Sequence, residues 1–321
     1  MAPAAEEADA TRPVARRKRR RLLVLVGLAA VGLTAILASL VVFGGRNSKQ
    51  PGTYVALGDS YASGEGLGPF EAGTEDVARS GDGCHRSANA YPRLVAAEGL
   101  KVIFVACSGA KVADLVGGQA PQAALVDKRA TLVTVTIGGN DAQWTEVLTV
   151  CGLVENCPTA PMPASAAGPS GGATVSEFVV RQLEGLAGPL RESFEQLRRS
   201  APNATMLVTG YPLPLPTGEL ATTDSACALL ANVFDPAERL WLAERVTDLN
   251  NLLADAANAA GLIFVDVAAS FGDHAACSAK GAWINGIQLG GGGRLVGSGS
   301  FHPNAEGQRQ LALAVERALR D

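Results

Sequence analysis

Histidine is scarce in this chain: its 321 residues contain three, His85, His274 and His302. Any chemistry that needs an imidazole base must choose among them. No C-x-x-C pair occurs, which argues against a zinc site or thioredoxin-like redox chemistry. No internal repeat is visible. A basic body is also missing. Net charge is −4, and residues 1–21 alone carry +4, which leaves −8 on the remainder. An acidic body excludes the basic face that a nucleic-acid partner requires. What remains is 47% hydrophobic and 18% charged, enough for one large core or two small ones.

The first 21 residues form a basic tail, with Arg12 and Arg16 to Arg21 outweighing three acids. Residues 22–43 follow without a charge. As a helix, such a run spans about 33 Å, the thickness of a bilayer core. Basic residues before it, against only Arg46 and Lys49 in the tether after it, place the N-terminus inside and the body outside. A secretory signal would have a shorter apolar region and an A-x-A-like cleavage site, and none follows. The expectation is therefore an uncleaved signal anchor, with secretion after cleavage as the alternative. Residues 44–52 read as a tether, and 53–321 as the body.

Six cysteines fit an exported body: Cys84, Cys107, Cys151, Cys157, Cys227 and Cys277. They allow 15 pairings. Pairing in chain order, Cys84–Cys107, Cys151–Cys157 and Cys227–Cys277, is the expectation, since each bridge then staples one loop.

The body shows five short apolar, β-branched runs, 54–57, 102–106, 132–137, 206–208 and 262–265, separated by helical patterns. That alternation predicts an α/β fold with a parallel sheet. Thr174 and Glu177 form a capping box that opens a helix to Arg199, with Pro189 as a kink. Asp235-Pro236 opens a second long helix to residue 260, and Pro303-Asn304 a last one to Arg320. Residues 158–173 are of low complexity and read as a mobile loop. Gly168 to Gly172 fit G-x-S-x-G around Ser170, but no strand precedes them, so no nucleophile elbow is expected there.

In an open parallel sheet, ligands bind beyond the carboxyl ends of the strands. The first run breaks at Gly58-Asp59-Ser60, which presents Ser60 at a strand end as a candidate nucleophile. The second is followed by Gly109, and the third by Gly138 to Asp141 with Asn140 among them. The main-chain N–H groups of Ser60 and Gly109 and the side-chain amide of Asn140 are candidate oxyanion donors. Serine needs a base. His302 stands just before the last helix and is the candidate, whereas His85 and His274 read as solvated loop residues. Asp59 and Asp141 read as carboxylates that satisfy turn N–H groups.

These ordered blocks resemble the SGNH (GDSL) hydrolase family: Gly58-Asp59-Ser60 its first block, Gly109 its second, Gly138 to Asp141 its third, and His302-Pro303 its fifth. The resemblance covers residues 53–321. The six cysteines and the segments Cys84 to Pro92 and Cys107 to Gly109 are similar to the exported three-disulfide bacterial lipase and phospholipase branch. The resemblance implies a flavodoxin-like three-layer α/β/α sandwich with a five-stranded parallel sheet. It implies carboxylester hydrolysis without metal or cofactor, with Ser60 as nucleophile, Gly109 and Asn140 in the oxyanion hole, and His302 as base. Most of the family has Asp three residues before the histidine, whereas this chain has Gly299. In the similar branch, a main-chain carbonyl two residues before the histidine takes that part, here Ser300. Asp266 and Asp273 are the substitutes weighed against it. An acyltransferase and a cell-surface binding protein with a dead site are the competing readings. The expected partners are a small-molecule or lipid ester substrate and the membrane at the anchor, with the chain a monomer. The glycine-rich loops 64–83, 151–173 and 285–297 are expected to shape the pocket mouth.

Overall fold

The computed structural model describes residues 52–321 except 80, 96–98, 118–120, 168–171, 222–224, 289 and 291–295. The basic tail, the apolar run 22–43 and all of the tether but residue 52 lie outside the described residues, as does most of the rejected G-x-S-x-G segment. Among the described residues, no helix is long and apolar enough to cross a membrane.

Five strands form one parallel sheet: β1 (Thr53–Gly58), β2 (Lys101–Phe104), β3 (Ala130–Thr136), β4 (Thr205–Thr209) and β5 (Ile263–Val265), in the order β2-β1-β3-β4-β5. This is the doubly wound, flavodoxin-like order, in which the ligand crevice opens where the winding reverses, beside β1 and β3. The strands are continuous apolar runs because helices cover both faces. Alternation along β1 shows it directly. Tyr54 and Ala56 enter one core with Tyr91, Phe271 and Leu311, while Val55 and Leu57 enter the other with Leu190, Phe194 and Leu253.

Ten α-helices are described: α1 (Ser60–Ser63), α2 (Tyr91–Leu94), α3 (Val112–Val116), α4 (Trp144–Cys151), α5 (Ala164–Ala167), α6 (Val175–Ser200), α7 (Ser225–Val233), α8 (Pro236–Ala259), α9 (Val267–Phe271) and α10 (Ala305–Ala318). The capping boxes at Thr174/Glu177 and Asp235/Glu238 open α6 and α8. α6 runs through Pro189 as one helix. α10 starts later than its sequence signal, because the Asn304 side chain accepts from the N–H groups of Glu306 and Gly307 and so makes Asn304 the cap. The low-complexity stretch is not all loop: it carries α5 and a bridge from Pro161 to Thr174. Disulfides join Cys84 to Cys107, Cys151 to Cys157, and Cys227 to Cys277.

Candidate active site

β1 ends at Gly58, and the chain turns at once into α1, whose first residue is Ser60. Asp59 caps this one-turn helix by accepting from the Tyr61 N–H at 3.0 Å. Ser60 is thereby held at a helix N-terminus at the sheet's carboxyl edge, with 9% of its surface exposed. Its Oγ lies 2.7 Å from Nε2 of His302. The last connection before α10 brings His302 there, and Tyr61 helps to fix that connection by donating its hydroxyl to the Phe301 carbonyl at 2.8 Å.

The other ring nitrogen of His302, Nδ1, faces the Ser300 carbonyl oxygen at 3.1 Å. With Nδ1 as donor, Nε2 is left free to accept a proton from Ser60. Burial lowers the pKa of His302; the charge of Glu65 and the hydrogen-bond acceptance of the Ser300 and Ser298 main-chain carbonyls act against that shift. Gly299 occupies the position where most of the family has Asp, and a side chain would not fit there. A Cβ at 299 would lie 2.9 Å from the Gly66 Cα and 2.3 Å from Oε1 of Gln288.

Ser60, Asn140, Ser300 and His302 line one open cleft. Asn140 donates one amide N–H to the Ala110 carbonyl at 3.0 Å. That bond fixes the side chain and leaves its second N–H for another acceptor. Gly109 is not among the cleft-lining residues. It turns the chain after β2 with φ of +82°, a left-handed conformation that glycine adopts without strain. Among the described residues, no hydrogen bond uses the N–H of Ser60 or of Gly109. The cleft walls are apolar and aromatic, with Trp144 and Leu148 of α4, Val246 and Leu249 of α8, and Phe301. Among the described residues, none of these comes from the three glycine-rich loops expected at the mouth; four stand on α4 and α8, and Phe301 on the connection before α10.

The remaining carboxylates stand apart from His302. Asp266 caps α9, and Asp273 pairs with Lys280 in an exposed loop. Asp141 accepts from the Val112 N–H. Asp59 is buried, and its Oδ2 accepts from the Tyr211 hydroxyl at 2.5 Å, while Tyr211 accepts from the Gly139 N–H at 2.9 Å. Burial raises the Asp59 pKa to about 7.

His274 stacks on Trp283 and bonds the Gly281 carbonyl, away from the cleft. His85 is not the solvated residue its loop suggests. Its ring stacks on Phe70, its Nδ1 meets Glu65 at 2.7 Å and its Nε2 meets Asp76 at 3.0 Å. Sequence reasoning passed over Glu65, Tyr211 and the α4 and α8 walls. No local pattern marks them, because the contacts that define them join distant parts of the chain.

Comparison with known proteins agrees with the architecture. Residues 56–310 match the profile of the GDSL-like Lipase/Acylhydrolase family, so the chain belongs to that family. Over 296 residues it is 32% identical to Lipase 1 of Streptomyces coelicolor, covering 91% of this chain and 96% of the relative. Among solved structures it is similar to phospholipase A1 from Streptomyces albidoflavus, with TM-score 0.64 and 31% identity over 84% of this chain and 98% of that one. It is also similar to the extracellular lipase of Streptomyces rimosus, with TM-score 0.65 and 28% identity over the same shares. By class, the protein is a carboxylic ester hydrolase.

Proposed function

We propose that this protein is an exported serine esterase that cleaves acyl esters of lipid type through a Ser60–His302 dyad. The carrying observation is the 2.7 Å contact between Ser60 Oγ and His302 Nε2, with Nδ1 held by a main-chain carbonyl. In this reading, His302 takes the Ser60 proton as Oγ attacks the ester carbonyl carbon. The tetrahedral oxyanion is met by the second Asn140 N–H and the N–H groups of Ser60 and Gly109. Collapse breaks the C–O bond to the alcohol, which leaves with the proton from His302. Water, deprotonated by the same imidazole, then attacks the acyl carbon; the bond to Ser60 Oγ breaks, Oγ takes the proton back from His302, and the acid is released. None of these steps calls for a metal.

The apolar cleft walls support an acyl chain as the recognised part of the substrate. The phospholipase A1 and lipase relatives support the same substrate class. Three disulfides and an extracellular relative support an exported body. Retention by residues 22–43 is supported by their uninterrupted apolar length alone.

The test is labelling with a serine-reactive phosphonate, followed by p-nitrophenyl esters of increasing chain length and phospholipid vesicles. Peptide mapping should find the phosphonate on Ser60, and free fatty acid should be released. A protein that stays unlabelled and inactive on every ester would sink the proposal. Acyl transfer to an added alcohol in place of hydrolysis would convert it to the acyltransferase reading.

A further inference from the structure

Glu65 is 3% exposed, yet it is a carboxylate. A buried charge persists only where hydrogen bonds and partners compensate it. Glu65 has three. Oε1 accepts from the Ser298 hydroxyl at 2.6 Å. Oε2 accepts from the Ser108 hydroxyl at 2.7 Å and meets Nδ1 of His85 at 2.7 Å. Whichever nitrogen of His85 carries a proton, a carboxylate oxygen is there to accept it, from Glu65 on one side or Asp76 on the other. Burial alone would raise the Glu65 pKa. The bonds to Ser298, Ser108 and His85 lower it below the ordinary value, so the group is ionised.

The places these bonds reach are not random. The main-chain N–H of Glu65 donates to the Ser60 carbonyl at 3.0 Å. Ser108 directly precedes Gly109. Ser298 opens the 298–300 segment whose carbonyls orient His302, and the charge of Glu65 acts on His302 itself. One residue thus joins the nucleophile turn, the Gly109 turn and the imidazole's acceptor segment. The same segment has no room for a carboxylate of its own, because Gly299 packs against Gly66, the residue after Glu65.

We infer that Glu65 is the acidic positioning residue of this hydrolase: its carboxylate holds Ser298 and Ser108 in place and supplies the negative charge toward the His302 imidazolium that no aspartate at 299 can supply. This rests on the Ser60–His302 reading above. Glu65 touches no reacting atom; it acts through Ser298, Ser108 and its field. The groups that face it are those two hydroxyls and His85, which in turn meets Asp76. The groups that face His302 are Ser60, the Ser300 and Ser298 carbonyls and the ring of Tyr61.

The experiment compares Glu65→Gln, Glu65→Asp, Ser298→Ala and Ser60→Ala in the full chain. The readout is kcat and KM on a soluble p-nitrophenyl ester across pH, with thermal unfolding as the check on folding. Glu65→Gln should lose about 10- to 100-fold in kcat, part of the ~10²–10⁴ that a positioned base supplies. KM should change little. Its acidic limb should move to lower pH, because removing a negative charge makes the imidazolium less stable. Glu65→Asp keeps the charge and should keep the limb while losing rate. A folded Glu65→Gln with wild-type kcat, or with lost activity and an unmoved limb, overturns the inference. If Glu65→Gln does not fold, Ser298→Ala and Glu65→Asp decide, and wild-type kcat in both overturns it. Ser60→Ala separates the two levels. Activity surviving in that variant refutes the serine reading, whereas an inactive Ser60→Ala beside an unaltered Glu65→Gln removes Glu65 alone.

Discussion

The hydroxyl of Tyr211 donates to Oδ2 of Asp59 across 2.5 Å, although 152 positions separate the two residues. Asp59 caps the helix that begins at Ser60, and Tyr211 accepts from Gly139, the residue before Asn140. The pair therefore ties the Ser60 turn to the loop of the candidate oxyanion donor. It also leaves a signature in pH. Asp59 titrates near 7 in the fold against 3.8 for an ordinary Asp, so the folded state holds a proton that the unfolded chain releases. Its contribution to stability is full below about pH 4 and is lost as pH rises through about 7. Three pKa units correspond to roughly 4 kcal/mol. Asp59→Asn should remove most of this slope. The measurement is the urea midpoint of both proteins from about pH 4 to pH 8, and equal slopes in the two would refute the assignment.

His302 supplies a second prediction. Burial lowers its pKa, so the neutral, proton-accepting form persists to lower pH than an ordinary histidine allows. The acidic limb of kcat/KM should fall below the usual value of about 6.5. Ser60→Ala and His302→Ala should each cost about 10⁴- to 10⁶-fold in kcat, as loss of a nucleophile or its base does elsewhere. Asp266→Asn and Asp273→Asn should stay within about threefold, because neither carboxylate contacts the imidazole. A large loss in either, with the fold intact, would move the orienting role away from the Ser300 carbonyl.

Ser300 carries a finer expectation. Its carbonyl faces His302, but its hydroxyl is not idle: it accepts from the Gln288 N–H at 2.9 Å and lies 3.3 Å from the Gln288 carbonyl. Ser300→Ala keeps the carbonyl and loses those bonds. Stability should fall by about 1 kcal/mol, the usual worth of such a bond. Steady-state kinetics should find kcat within a few-fold of the parent. A collapse of kcat at unchanged stability would show that the hydroxyl itself takes part.

The strand ends were legible because a buried strand that stops at Gly58-Asp59-Ser60 announces itself in one dimension. The sheet followed from five β-branched runs between helical patterns. Ser60 and His302 stood out as candidates for a related reason, since each sits at an element boundary and the chain offers only three histidines. Glu65 was not. Its environment is made by Ser108, His85 and Ser298, the last of them 233 positions away, and nothing in Ser63-Gly64-Glu65-Gly66 distinguishes it from a solvated loop acid. His85 was misjudged for the same reason, as its partners are set by tertiary packing. The cleft walls were illegible in another way. Val246 and Leu249 read as ordinary buried positions of a long helix, and only the tertiary packing of α8 beside the Ser60 and Asn140 turns brings them to the cleft.

The Cys84–Cys107 bridge should matter to activity as well as to stability. It joins the residue before His85 to the residue before Ser108, two partners of Glu65, and the Ser108 N–H also donates to the Cys84 carbonyl. Closing a loop of this length stabilises by about 3 kcal/mol on chain entropy. A Cys84→Ala/Cys107→Ala variant should lose about that much by urea unfolding. Its kcat should fall at temperatures where it is still folded. Full activity in the folded double variant would show that the bridge serves stability alone.

Trp144 sets the last expectation. Its side chain lines the cleft near Leu148 and Leu249, with Ser60 and His302 also on the cleft surface. If the acyl chain lies against this wall, its length is limited by how far the indole intrudes. Trp144→Ala removes a large apolar surface, so a short acyl chain loses contact and a long one gains room. The ratio of kcat/KM for a decanoyl ester over an acetyl ester should rise about tenfold, the effect of one or two methylenes in an apolar pocket. The indole also packs partly into both cores, so the ratio is the informative quantity and absolute rates are not. A panel of p-nitrophenyl esters measures it at one pH. An unchanged ratio would place the acyl chain on another wall of the cleft.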